Sequence, residues 1–214
     1  EIVGIHEDDG IVIHNHRGEV IAQGFIGRSG GVGGNPTPSI AQLDGKGMAE
    51  IIVSRIVFTL ARVDGDIVVL DYFQGLGSSG RNTQGGVSCV ADILGDSRPE
   101  IIAGGTVYRY PRAPQGAIKT ADCVANGGMI TPQTEEETAW CNGQLEIVWQ
   151  QENLDGFCAI ADIWGTDVAQ APGPNNPLDG QAEVILISNS KLIILDSQTG
   201  TIIHEATYGS GNDK

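Results

Sequence analysis

Residues 41–53 read AQLDGKGMAEIIV, residues 91–103 read ADILGDSRPEIIA, and residues 161–187 give a stretched version, ADIWGTDVAQAPGPNNPLDGQAEVILI. Each copy is a small residue, an acid-and-glycine turn, a glutamate and an aliphatic run. Anchored on the glutamate, the copies open at Glu1, Glu50, Glu100 and Glu183. The first three anchors are 49 and 50 residues apart, and the fourth interval is longer by about thirty. Recurrence at such a period is the signature of a repeat architecture, so it decides the fold before any single motif is weighed.

The pattern around each anchor is that of short strands. Ahead of the glutamate lies an apolar strand ending in a small residue and a polar turn. Behind it come a second strand, a third such as IVIHNH or LIILDS, a glycine-containing turn, and a fourth such as EVIAQG or TIIHEAT. Between Met48 and Val63, Ile52, Ile56, Leu60 and Val63 fall at helical spacing, but the run is rich in β-branched residues and ends in Asp64-Gly65. β-Branching and a hairpin turn favour two strands there. The 31 glycines fit many short strands joined by tight turns.

Four antiparallel strands in about 50 residues describe one blade of a β-propeller. A lone four-stranded sheet leaves both faces wet, and stacking successive sheets covers them. The predicted fold is therefore all-β, with a partial blade over 1–27 and complete blades over 36–76, 86–152 and 156–208. The long fourth interval becomes two insertions, 113–142 and 167–179. Because Glu1 stands at the second strand of its unit, and fewer than four blades do not close a ring, the chain reads as a segment of a larger ring or a partner to further blades. Its lack of an initiating methionine agrees with a processed product or a piece.

Twelve basic against 27 acidic side chains, a net charge of −15, exclude a nucleic-acid partner and an anionic membrane surface. No apolar stretch approaches the roughly 20 residues of a bilayer span, so this segment has no membrane insertion. Cys89, Cys123, Cys141 and Cys158 show no CxxC spacing that would favour zinc or redox chemistry. Cys123 and Cys141 bracket a polar, irregular segment that gains from a cross-link. Cys89 and Cys158 occupy nearly matching places in successive repeats, where neighbouring strands could join them. Buried free thiols are the alternative for both pairs.

The three copies resemble the FG-GAP, or VCBS-type, repeat, whose usual form is Ala-Asp-x-Asp-Gly-Asp-Gly-x-x-Glu-Ile-Val. That resemblance implies a propeller like those of integrin-like ectodomains, bacterial surface proteins and some secreted polysaccharide-acting enzymes, with calcium commonly held in the acidic turn. Calcium wants six to eight oxygens. The first copy offers Gln42, Asp44, Lys46 and Glu50, where a lysine stands in an acid position. The second keeps Asp92, Asp96 and Glu100 but has Leu94 between them. The third keeps Asp162 with Asp167 beside it, then reaches Asp179 and Glu183 after a detour. Asp92, Asp96, Glu100, Asp162, Asp167 and Glu183 are thus the candidate metal ligands. An aspartate in such a turn also accepts backbone N–H bonds and glycine supplies positive φ, so the phrase has an architectural use without metal.

Other motifs are weaker. GLGSSG at 75–80 matches a dinucleotide fingerprint and follows a strand, but RNTQGGVSCVADI offers no helix N-terminus. His14 and His16 alternate along the predicted third strand, with His6 on a neighbour, and read as surface histidines at a blade edge. Neither a Ser-His-Asp set nor a Gly-x-Ser-x-Gly elbow is present. A sugar-stacking platform would draw on Trp140, Trp149 and Trp164, although Trp149 and Trp164 are better placed to fill gaps between blades. The resulting expectation is a non-enzymatic secreted or cell-surface module for adhesion or assembly, binding a protein or glycan or self-assembling with further blades. Its surface elements would be Glu135–Glu137 and the APGPNN loop. The alternative is a segment of a calcium-assisted polysaccharide lyase with its catalytic residues elsewhere.

Overall fold

A computed structural model describes residues 1–6, 10–24, 36–81, 85–165, 173 and 176–208. Among these residues the chain forms four antiparallel sheets in sequence order. The first has three strands, β1 (Ile2–His6), β2 (Gly10–His14) and β3 (Val20–Gly24). The second has β4 (Pro38–Ala41), β5 (Glu50–Val53), β6 (Ile56–Val63) and β7 (Asp66–Gln74). The third has β8 (Cys89–Ala91), β9 (Glu100–Ala103), β10 (Thr106–Arg109) and β11 (Glu146–Gln150). The fourth has β12 (Phe157–Ala161), β13 (Glu183–Ser188), β14 (Lys191–Leu195) and β15 (Ile202–Thr207). The run from Met48 to Val63 is two strands, and Asp64-Gly65 turns it into β7 with both residues at positive φ.

Period-two alternation on the glutamate-led strands explains how the sheets cohere. Ile51 and Val53 pack with Ile11 and Ile13 of the first sheet. Ile52, between them, packs with Ile101 and Ala103 of the third. Ile102, between those two, packs with Val184 and Leu186 of the fourth. Both faces of the second and third sheets are therefore buried, which is why these strands are aliphatic at every position. Each fully buried isoleucine contributes roughly 1.5–3 kcal/mol. Along one side, β1 touches β4, β4 touches β8 and β8 touches β12. The Cys89–Cys158 disulfide ties that last pair together.

The segment between β10 and β11 departs from the irregular excursion expected of it. It holds two 3-10 turns, at Thr120–Asp122 and Val124–Asn126, and a helix, α1 (Glu135–Cys141). The helix starts at a capping box: Thr134 accepts from the Glu137 N–H at 3.1 Å, and the Glu137 carboxylate accepts from the Thr134 N–H at 3.2 Å. Trp140 anchors it, buried with its ring 5.8 Å from Phe73, so it is a core residue and not part of a sugar platform. The Cys123–Cys141 disulfide closes the segment.

One further expectation changes. The strand carrying His14 ends there, and His16 lies in the turn that follows, so the two do not alternate along one strand. His6 does lie on the neighbouring strand, β1, but pairs with Gly10 at the other end of β2, far along the ladder from His14. The glycines of GLGSSG make room for a neighbour: a Cβ on Gly75 would collide with the ring edge of Tyr108, whose hydroxyl donates to the Ser78 carbonyl at 2.7 Å.

Candidate functional site

The repeated glutamates are 3, 0 and 5% exposed at positions 50, 100 and 183. Their carboxylates turn back onto the acid turn that precedes them. Glu50 accepts from the Leu43 N–H at 2.8 Å, Glu100 from Ile93 at 3.1 Å and Leu94 at 3.4 Å, and Glu183 from Ile163 at 2.8 Å and Trp164 at 2.9 Å. One carboxylate oxygen thus closes each turn onto its own strand, and the recurring phrase encodes this staple. The aspartates act within the turns. Asp44 accepts from Lys46 N–H at 2.7 Å, while Asp92 accepts from Asp96 and Ser97 at 3.1 and 2.8 Å. Gly45 and Gly95 hold φ of 72° and 73°, the left-handed conformation that the reversal requires.

What faces the other glutamate oxygen differs between copies. In the second, Arg109, paired across the strands from Glu100, binds that oxygen through Nε at 3.0 Å and also through Nη2. The same guanidinium reaches Asp96 at 3.0 Å. Burial works against the Arg109 charge, but the bonds and charges of Glu100 and Asp96 outweigh it and raise its pKa. In the first copy no arginine stands there. Burial, less the Leu43 N–H bond and with the charge of Asp44 added, pushes Glu50 up to about 7.

These arrangements bear on the candidate calcium ligands. Asp92 spends both oxygens on backbone donors, and Asp96 and Glu100 already share a guanidinium, so the second turn as built does not fit calcium. Asp162 accepts from Gly180 N–H at 3.1 Å through one oxygen and buries the other without a partner among the described residues, and Glu183 serves the staple. Asp167 lies outside the described residues. Among the described residues, no three His, Cys, Asp or Glu side chains are grouped to hold a metal ion.

Two of the three glutamates expected at the surface are engaged within the fold. Glu136 accepts from Arg98 and from the Arg112 N–H, and Glu137 closes the capping box, leaving Glu135 exposed. Of APGPNN, residues 171, 172, 174 and 175 lie outside the described residues, and Asn176 is buried. Trp149 fills the space between the third and fourth sheets, its indole donating to the Ser197 carbonyl at 2.8 Å. Trp164 stacks on His204 with ring centroids 5.3 Å apart.

The insertion makes a feature that the repeat pattern does not reveal. Its end lies alongside β7 through a parallel bridge between Gln74 and Gln144, with Gln74 N–H donating to Gly143 at 2.9 Å and Leu145 N–H to Gln74 at 3.1 Å. Further along β7, Asp71 accepts from the Thr120 N–H at 2.7 Å and from its hydroxyl. Between these two tethers lies an open cleft of about 550 Å³, lined by Tyr72, Gln74, Asn126, Asn142 and Gln144 among others. Such a volume is within the range of small-molecule sites.

No family model matches the sequence, and none of the curated proteins does. Among solved structures, the chain is similar to the V. cholerae biofilm matrix protein Bap1, at 16% identity and a TM-score of 0.49, over 92% of this chain and 24% of that one. It is also similar to the Bacillus licheniformis rhamnogalacturonan lyase PL11, at 15% identity and a TM-score of 0.49, over 92% of this chain and 31% of that one. The chain spans about a quarter to a third of the length of these structures.

Proposed function

We propose that this chain is a run of FG-GAP-type propeller blades that works outside the cell as a non-enzymatic interaction module, presenting the 113–142 insertion to a protein or glycan. The observation that carries this reading is the contrast between scaffold and insertion. The glutamate staple recurs in the same register at Glu50, Glu100 and Glu183, whereas the segment between β10 and β11 has its own helix, its own disulfide and two tethers to β7. A rigid repeated frame carrying one elaborated, cross-linked loop is the arrangement of a display surface. Two disulfides, with no free cysteine among the described residues, support an oxidising compartment.

Alkylating thiols in intact source cells before lysis, then mapping the cysteines by mass spectrometry, tests the compartment. Both disulfides are expected intact on protein at the cell exterior, and alkylated cysteines on protein inside the cell would overturn the reading. Replacing residues 113–142 by a two-residue Asn-Gly turn is expected to abolish attachment to the cell's matrix or partner while the sheets still fold. A rise in unsaturated-uronide absorbance on incubation with acidic polysaccharides would replace the module by a lyase.

A further inference from the structure

We infer that the cleft between β7 and the insertion binds a neutral oligosaccharide, an inference that rests on reading the chain as an extracellular display module. The argument begins with what the cleft offers. Gln74, Asn142 and Gln144 line it, and their side-chain amides make no hydrogen bond among the described residues. Asn126 donates its amide nitrogen to the Thr120 and Cys141 carbonyls at 2.9 Å each, which leaves its amide oxygen as an acceptor. A primary amide presents a donor and an acceptor side by side, and sugar hydroxyls answer as both.

The charges narrow the ligand further. No lysine, arginine or histidine lines the cleft, so nothing there would hold a carboxylate, sulfate or phosphate group. Its single carboxylate, Asp71, is committed: one oxygen accepts from the Tyr72 N–H at 2.9 Å and the other from Thr120. A cation therefore finds no free anion, and an anionic chain would also approach a protein of net charge −15. Leu76 and Tyr72, 68 and 53% exposed, supply apolar surface at the margin but no closed apolar floor for a lipid. A peptide adding as a strand is opposed by Gln74, whose N–H and carbonyl are both bonded to the insertion.

The walls are also fixed before any ligand arrives. Cys141 lines the cleft and is cross-linked to Cys123, Asn126 bridges the two 3-10 turns to the helix end, and Tyr72 pairs with Phe58 across the sheet at 6.4 Å between centroids. The backbone around the cleft is thus held in place, and only the unbonded amides of Gln74, Asn142 and Gln144 are left to order on binding.

The test is calorimetric and NMR titration of the chain with gluco-, manno- and xylo-hexaoses, with polygalacturonate and a strand-forming hexapeptide library as comparators. At least one neutral hexaose is expected to bind, and Gln144→Ala and Asn142→Ala are expected to weaken it tenfold or more. Arg112→Ala, at an exposed residue just before the insertion and outside the cleft lining, should leave it unchanged. Retained circular dichroism and melting temperature in the amide variants separate lost contacts from lost fold. Binding of none of the neutral sugars, preference for polygalacturonate or peptide, or binding indifferent to the amide variants would each overturn the inference. Intact disulfides at the cell exterior without sugar binding would remove the ligand and leave the display module standing.

Discussion

Glu50 and Glu100 hold equivalent places, accept equivalent backbone bonds and are equally hidden, yet their charges meet opposite surroundings. Glu100 has Arg109, and Glu50 has only the repulsion of Asp44 and its own burial. For Glu50 the folded-state pKa, about 7, lies above the unfolded value near 4.5, so the folded state holds the proton more tightly. Stability from this group is then full below about pH 4.5, falls as pH rises between 4.5 and 7, and stays low above that. Glu50→Gln keeps an acceptor for Leu43 and removes the charge. Urea denaturation should find it more stable than the parent by about 2–3 kcal/mol at pH 8 and nearly equal at pH 4.5. Arg109→Met, by contrast, leaves the Glu100 carboxylate buried and uncompensated, and should cost about 3 kcal/mol or more at pH 7. Arg109 also occupies oxygens of both Asp96 and Glu100, so millimolar calcium should leave the melting temperature of the parent chain unchanged. An upward shift would show that one of the acid turns binds the ion in the folded state.

The elements divide into those the sequence announces and those it hides. Strands β5 and β6 were readable because β-branched residues and the Asp64-Gly65 turn outweigh a chance helical spacing. Cysteine placement favours the Cys123–Cys141 bond and allows the Cys89–Cys158 bond, with free thiols as the alternative, and the structure forms both. Helix α1 is hidden in the sequence although Thr134 and Glu137 spell its capping box, because three consecutive glutamates look like solvated surface until Arg98 and the Arg112 N–H are seen to meet Glu136. The cleft could not be read at all, since it depends on Gln74 and Gln144 meeting across 70 residues of chain through a bridge that no periodicity marks. The helix and the cross-link make separable contributions. Thr134→Ala loses one N-cap acceptor and should cost about 1 kcal/mol. The double variant Cys123→Ala/Cys141→Ala opens a loop of 18 residues in sequence separation and should cost about 3 kcal/mol. If both losses are confined to the insertion, proteolysis will begin between residues 113 and 142 while the second and third sheets survive.

At the scale of the whole molecule, the four sheets stand in a row, and position in that row sets how each is protected. Among the described residues, the second and third sheets have neighbours on both faces and the first and fourth on one. In stacked repeats stability is approximately the sum of unit terms and nearest-neighbour interfaces, so an end unit forgoes an interface that an inner unit keeps. The burial along the strands agrees: every residue of β5 and β9 is buried, while five of the six in β15 are exposed. Native-state hydrogen exchange should therefore give the greatest protection in β5, β6, β9 and β10, and the least in β3 and β15. The Cys89–Cys158 bond adds a directional test, because it fastens the fourth sheet to the third and no disulfide fastens the first to the second. With the bond intact, β13 and β14 should exchange more slowly than β1 and β2. With Cys89→Ala/Cys158→Ala, that advantage should vanish while β5 and β6 keep theirs. Equal protection across all four sheets in the parent chain would mean that it unfolds as one unit, and that the interfaces between sheets are stronger than the sheets themselves.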